Sequence, residues 1–380
     1  MPNKNYFKAI SVLSGTILGA GLFAVPFAIQ KAGILTLFIY LPALAFVQFL
    51  LHKIYAEVVL STTRRHRMPG YVGVYYGKFY RNLALAISVI GKHGALLSYI
   101  ILGGIFLHGL LGDFLGGNLF LYTCVLFSAE VLIVFFGLKV IAKAEMWLNL
   151  LLVFVVLALI GKSFYYINPG NYNLLNWENL LFPYGVVFFA VGGQAAIPEM
   201  CRLLKNEKHR ISSAIAWGTL LPAGIMGVFV LLIVGVCGAG VSSDTLTGLE
   251  TMFGDGLIKT AFLLGLLATT TSFIVICQSL REVYWWDAGI NNNLAWILAC
   301  LTPFLLYLVG FSNLTQVVGI TGSITGGLFG VILIAILFRA KKKRRKTPAV
   351  NNKLNLYFGV ILSLLFILGV LAEVVLSFIS

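Results

Sequence analysis

Two short stretches of this chain set glycines and a proline inside long apolar runs: "GTILGAGLFAVP", Gly15 to Pro26, and "AVGGQAAIP", Ala190 to Pro198. In each, a glycine precedes the proline at the same spacing, Gly21 before Pro26 and Gly193 before Pro198. Glycine admits backbone conformations that interrupt a helix, and proline removes an N–H that would continue it. In hydrocarbon an unwound stretch exposes amides and carbonyls, each costly unless protein, an ion or a polar cavity satisfies it. Such breaks therefore have to line a site. The half-helix that starts after a break offers free N–H groups and a positive dipole end, which suit a carboxylate. The half-helix that ends before it offers carbonyls, which suit a hard cation such as sodium.

Other side chains could assist. "ATTTSFIVICQ" places four hydroxyls, Thr269 to Ser272, in one turn, where they can coordinate a cation or bond neighbouring helices. Four ionisable residues, Lys92, His93, Glu130 and Glu373, fall inside apolar runs and are expensive there unless functional or paired. His93 is the candidate for proton coupling, because imidazole exchanges protons near neutral pH. Lys92 is close enough to a membrane edge to snorkel, and Glu373 is expected at the outer interface. The five cysteines have no paired or metal-like spacing and read as packing residues. No cofactor or catalytic-metal motif is present in the sequence, and the expected coupling ion is Na+ or H+.

The elements that must hold these groups follow from composition. Of 380 residues, 59% are apolar and 11% charged, so the chain reads as an all-α polytopic membrane protein. About 20 residues of helix cross a hydrocarbon core, which gives about eleven spans. Their limits are 6–32, 34–61, 83–111, 116–138, 144–166, 179–203, 211–239, 256–284, 292–310, 313–338 and 354–378. A net charge of +14 would suggest nucleic acid in a soluble protein. Here most of the 27 lysines and arginines fall at the amino terminus and in alternate loops. They include Arg64, Arg65, Lys139 and the run "RAKKKRRK" with Arg344, Arg345 and Lys346. This alternation makes the excess an orientation signal, with the amino terminus cytoplasmic, the carboxyl terminus outside and acids such as Asp255 on that outer face. No nucleic acid and no obligate protein partner is implied; the bilayer is the partner.

The two breaks lie in the first and sixth spans, and the long linkers after the second and seventh lie on opposite faces. Five spans followed by five of inverted sense make an inverted repeat, residues 1–166 and 167–338, with a basic linker at 339–353 and an eleventh span in 354–380. Interrupted helices in corresponding positions are the best sequence pointer to a transporter's site. A membrane-embedded acyltransferase would need a nucleophile and base or a metal cluster at matched depth, and none is spelled out. A nutrient sensor on a transporter fold is the remaining alternative of another class.

The segments "GTILGAGLFAVPFAIQKAG" and "FFAVGGQAAIPEM" resemble the first and sixth helices of the amino acid/auxin permease family. That resemblance implies a leucine-transporter-like fold and a carrier of amino acids. It implies that the amides near Gly19, Ala20 and Gly21 hold a substrate carboxylate, with Thr16 and Ile17 beside it. Phe189, Ala190, Gly192 and Gly193 would face the amino group and side chain, and Tyr99 would close over them. Gln194 stands where many relatives have a histidine, a departure that argues against histidine-based coupling there. Thr271 and Ser272, with carbonyls of Gly15 and Leu18, resemble a sodium site of this fold. Some proton-coupled relatives put a lysine in the fifth span, whereas "LNLLLVFVVLALIG" has none. The expectation is an ion-coupled symporter of neutral amino acids, sodium ahead of proton, with a proton-coupled aromatic permease as the alternative. Its place is the cell membrane.

Overall fold

The computed structural model describes residues 4–62, 66–136, 141–253, 256–343 and 348–379. Arg64, Arg65, Lys139, Asp255, Arg344, Arg345 and Lys346 lie outside the described residues. The first span is two helices, α1 (Lys4–Ile17) and α2 (Ala20–Ala32), bent by 45° about Leu18 and Gly19. The second span is α3 (Leu35–Ser61), followed by a short helix α4 (Met68–Tyr76). Then come α5 (Lys78–Leu115), α6 (Leu119–Phe136) and α7 (Ile141–Ser163). The sixth span is again divided, into α8 (Phe182–Ala190) and α9 (Ile197–Leu203), joined through a 3-10 turn at Gln194–Ala196. The chain continues with α10 (Ile211–Cys237), a short α11 (Leu246–Phe253), α12 (Gly256–Glu282) and α13 (Asn292–Leu308). The tenth span is α14 (Leu314–Ile320), a π-helical turn at Thr321–Gly326 and α15 (Gly327–Lys343); α16 (Leu356–Ile379) is last.

Among the described residues, eight helices are long and apolar enough to cross a membrane, the bent first pair adds one, and two shorter apolar helices span 150–166 and 292–308. That arrangement matches the eleven spans expected from hydropathy. The helices segregate into two bodies. One gathers α1, α2, α3, α8, α9 and α10; the other is built on α5 and α12, with α6, α7 and α13 against them. Broken helices therefore sit in one body and face the long unbroken α5 across the middle of the protein.

Small residues let the bodies approach. A Cβ on Gly91 would meet the Thr325 side chain at 2.7 Å, and one on Gly94 would overlap Thr321, so α5 lies tightly on the π turn of the tenth span. A π turn leaves a residue out of the helical ladder, and such turns recur at functional sites. The eleventh helix is more than an appendage. Glu373, expected at the interface, turns inward and accepts a hydrogen bond from Ser323 at 2.8 Å, because that carboxylate finds a donor in the π turn instead of lipid. Cys277 and Cys300, separate in sequence, come together with sulfurs 3.3 Å apart at the α12–α13 contact. They are free, buried thiols that pack against each other there.

Candidate functional site

The first break exposes backbone for a simple reason. Gly19 is the N-cap of α2 and no side chain caps it, so the amides of Ala20 and Gly21 have no intrahelical partner. Thr16 turns its hydroxyl back to the Val12 carbonyl at 2.8 Å, which leaves an oxygen acceptor at the end of α1. The second break is held from outside by α3. Its run "FVQFLLHKIY" places Gln48 and His52 four apart, on one face of the helix. Gln48 Nε2 donates to the Phe188 carbonyl at 3.1 Å, and the Gly193 amide donates to His52 Nε2 at 3.0 Å. His52 Nδ1 meets Thr219 Oγ1 of α10 at 2.9 Å. One helix face thus satisfies a carbonyl before the break and an amide within it. Gly193 therefore does not offer its N–H to a ligand, contrary to the idea that every amide at the breaks is free.

The two breaks converge on one cavity of about 180 Å³. Every residue expected at a substrate site lines it: Thr16, Ile17, Gly19, Ala20, Gly21, Tyr99, Phe189, Ala190, Gly192, Gly193 and Gln194. The π turn closes the far wall with Thr321, Gly322, Thr325 and Gly326. The glycines differ in what they face. A Cβ at Gly19 would stand 3.4 Å from the Tyr99 hydroxyl, an ordinary contact across the cavity. A Cβ at Gly21 would fall 2.5 Å from Ala190 Cβ, and one at Gly193 would overlap Leu13. Those two glycines serve the approach of one helix to another as much as the approach of a ligand.

Gly15, Leu18, Thr271 and Ser272 do not line this cavity. Thr271 Oγ1 donates to its own helix, at the Ala268 carbonyl 3.1 Å away. His93 also lies off the cavity, its Nε2 3.0 Å from the Tyr284 hydroxyl, so the proton-coupling candidate is removed from the substrate-facing wall. Lys92, one residue earlier, is on that wall. It does not snorkel to an edge; its ammonium donates to Ser279 Oγ at 2.9 Å.

Toward the α3–α4 connection the cavity ends at Tyr55, Met68 and Arg67. Arg67 binds Glu282 at the end of α12, with Nε and Nη2 both on Oε2 at 3.1 and 2.8 Å. Burial works against the charged guanidinium, but the pull and hydrogen bond of Glu282 outweigh it and raise its pKa above the ordinary arginine value. The pair joins the α3–α4 connection to the end of α12 at one end of the cavity. Removing one member of a partly buried pair strands the other. Glu282→Gln is expected to cut net uptake several-fold, and the exchanged pair Arg67→Glu with Glu282→Arg to recover part of it. Equal uptake by Glu282→Gln and the unaltered protein would remove the pair from the cycle.

A second cavity, of about 830 Å³, lies on the side of the 167–181 and 311–313 connections. Lys31, Glu178, Gln316 and Glu373 are among its walls. Gln48, His52, the Arg67–Glu282 pair and the π turn are site features that sequence reading passed over. The signal for the first two was there, as a glutamine and a histidine four apart in an otherwise apolar stretch.

Residues 3–376 match the model of the tryptophan/tyrosine permease family. The chain belongs to that family. It is a membrane transporter of amino acids and not an enzyme. No curated protein matches this permease. Among solved structures it is similar to that described as the crystal structure of MhsT in complex with L-phenylalanine, with a TM-score of 0.68 and 15% identity. The alignment covers 99% of this chain and 98% of that one, so the fold is shared from end to end. That is the leucine-transporter-like architecture that the resemblance of the two broken segments implied.

Proposed function

We propose that this permease is a secondary active carrier of aromatic amino acids, coupled to an ion and working by alternating access. The observation that carries this reading is the convergence of both helix breaks on one cavity between the two helical bodies. The family's name supports tryptophan and tyrosine as substrates, and the similar structure holds L-phenylalanine. The substrate carboxylate sits at the amides of Ala20 and Gly21, and the ring lies toward Phe189, Gly192 and Gln194, beneath Tyr99. Sodium is the first choice of ion, held by the carbonyls of Gly15 and Leu18 and the hydroxyls of Thr271 and Ser272. A proton is the second choice, favoured by the ammonium of Lys92 on the cavity wall. Kinship of the broken segments with the amino acid/auxin permeases then reflects a site shared across a wider superfamily. In this reading the body that carries both broken helices, built from helices of both repeats 1–166 and 167–338, rocks against the body built on α5 and α12 in the cell membrane, with the amino terminus and the basic linker 339–353 cytoplasmic and the carboxyl terminus outside.

Uptake into proteoliposomes tests all of this. Labelled tryptophan, tyrosine and phenylalanine should accumulate, alanine and lysine should not, and an imposed inward sodium gradient should drive accumulation without a proton gradient. Thr271→Ala with Ser272→Ala should then reduce sodium stimulation several-fold. Accumulation that ignores sodium and collapses with a protonophore would transfer the coupling to protons. Absence of aromatic uptake under either gradient would overturn the carrier reading.

A further inference from the structure

The two glutamines on the cavity wall are oriented by a chain of hydrogen bonds that starts at a group with no choice of role. The Phe188 carbonyl can only accept, so the Gln48 atom 3.1 Å from it is the amide nitrogen. Gln48 Oε1 therefore faces the other way, and there it accepts from Gln194 Nε2 at 2.6 Å. Donation by Gln194 nitrogen leaves Gln194 Oε1 at the free end of the chain. Both glutamines line the cavity, and among the described residues no donor meets Gln194 Oε1. Gln194 follows directly on Gly192 and Gly193, and a Cβ at Gly192 would stand 3.4 Å from that oxygen. The carbonyl is thus placed beside backbone that a ligand can approach closely. Thr16 points the same way chemically: its proton is committed to the Val12 carbonyl, so it too can only accept from a ligand. Gln194 Oε1 beside the second break and Thr16 Oγ1 beside the first are thus both left as acceptors on the cavity wall.

We infer that Gln194 Oε1, held in place by Gln48 and the Phe188 carbonyl, selects side chains that carry a hydrogen-bond donor on an aromatic ring. An indole N–H or a phenol O–H satisfies it, and a plain phenyl ring leaves it unpaired and out of water. This rests on the proposal that the permease carries aromatic amino acids, and names which of them the site distinguishes. A polar group built to bind a donor rejects the analogue that lacks one, because the group is then stranded. A single neutral hydrogen bond corresponds to a discrimination of about tenfold. Gln48 is the positioning residue, since it touches Gln194 and not the ring.

The experiment measures competition against labelled tryptophan uptake in proteoliposomes. The competitors are tryptophan and its benzothienyl analogue, in which a slightly larger sulfur replaces the ring N–H and removes the donor, and the pair tyrosine and phenylalanine. The unaltered permease should prefer the donor-bearing member of each pair about tenfold. Gln194→Met should bring both ratios toward one. Gln48→Leu, which frees Gln194 to rotate, should lower both ratios and raise the KM for tryptophan more than that for phenylalanine. Equal competition within both pairs by the unaltered permease overturns the inference, a result that requires no variant to fold. Ratios unchanged in Gln194→Met would overturn it as well. Absence of any aromatic uptake by the unaltered permease would instead overturn the carrier proposal, so the two failures are distinguishable.

Discussion

Gly21→Ala should lower aromatic amino-acid uptake by on the order of 100-fold while leaving the amount of protein inserted in the membrane unchanged. The reason is the contact between the two half-helices that carry the breaks. At Gly21 the added methyl would stand 2.5 Å from Ala190 Cβ and 3.2 Å from Ala190 N. The obstacle is the backbone and the Cβ of a helix, not the end of a flexible side chain, so α2 and α8 have to separate. Both belong to the cavity wall, and a displacement of about 1 Å in a site that orients its ligand is enough for a loss of that size. Gly19→Ala is the control. Its methyl would meet the Tyr99 hydroxyl at 3.4 Å and nothing closer, so uptake should fall less than tenfold. Uptake per inserted molecule, measured for both variants beside a thermal-stability assay in detergent, decides the matter. Unaltered transport by Gly21→Ala would mean that the two half-helices do not hold each other in register. Loss of insertion would instead make Gly21 a folding residue.

Glycine identity was legible in the sequence, but what each glycine touches was not. The spacing of Gly21 to Pro26 and Gly193 to Pro198 located both breaks, since helix interruption is a local property of the backbone. The length of each apolar run gave the spans, because the bilayer imposes one ruler on all of them. Contacts between distant segments are another matter. Nothing local marks Gly21 as the neighbour of Ala190, or Ser323 as the donor to Glu373. The π turn at Thr321–Gly326 was invisible for the same reason: its sequence "TGSITG" reads as small helix-compatible residues, and the turn is set by packing on α5 and α8. Charge was misleading in one instance. Lys92 looked able to snorkel from its depth alone, and only the fold places Ser279 within its reach. His93 had the better chemistry for proton exchange, yet it faces Tyr284 and not the cavity.

His52 makes the strongest test of how the second break is held. The Gly193 amide donates to Nε2, so that nitrogen carries no proton, and Nδ1 must then be the N–H that donates to Thr219 Oγ1. The ring is neutral, fully buried and fixed in one tautomer by partners on the second break and on α10. His52→Phe keeps the ring and removes both nitrogens. It leaves the Gly193 N–H and the Thr219 hydroxyl buried without those partners, at about 1–3 kcal/mol for each stranded group. The variant should melt several degrees lower in detergent and transport tenfold less, because Gly193 stands between Gly192 and Gln194 on the cavity wall. His52→Gln returns an acceptor to the same region and should recover part of both losses. A His52→Phe protein that melts and transports like the original would show that the break needs no external acceptor. Lowered melting with full transport would confine His52 to stability. Loss of both in His52→Phe, with partial recovery in His52→Gln, would tie the acceptor on α3 to the shape of the substrate site.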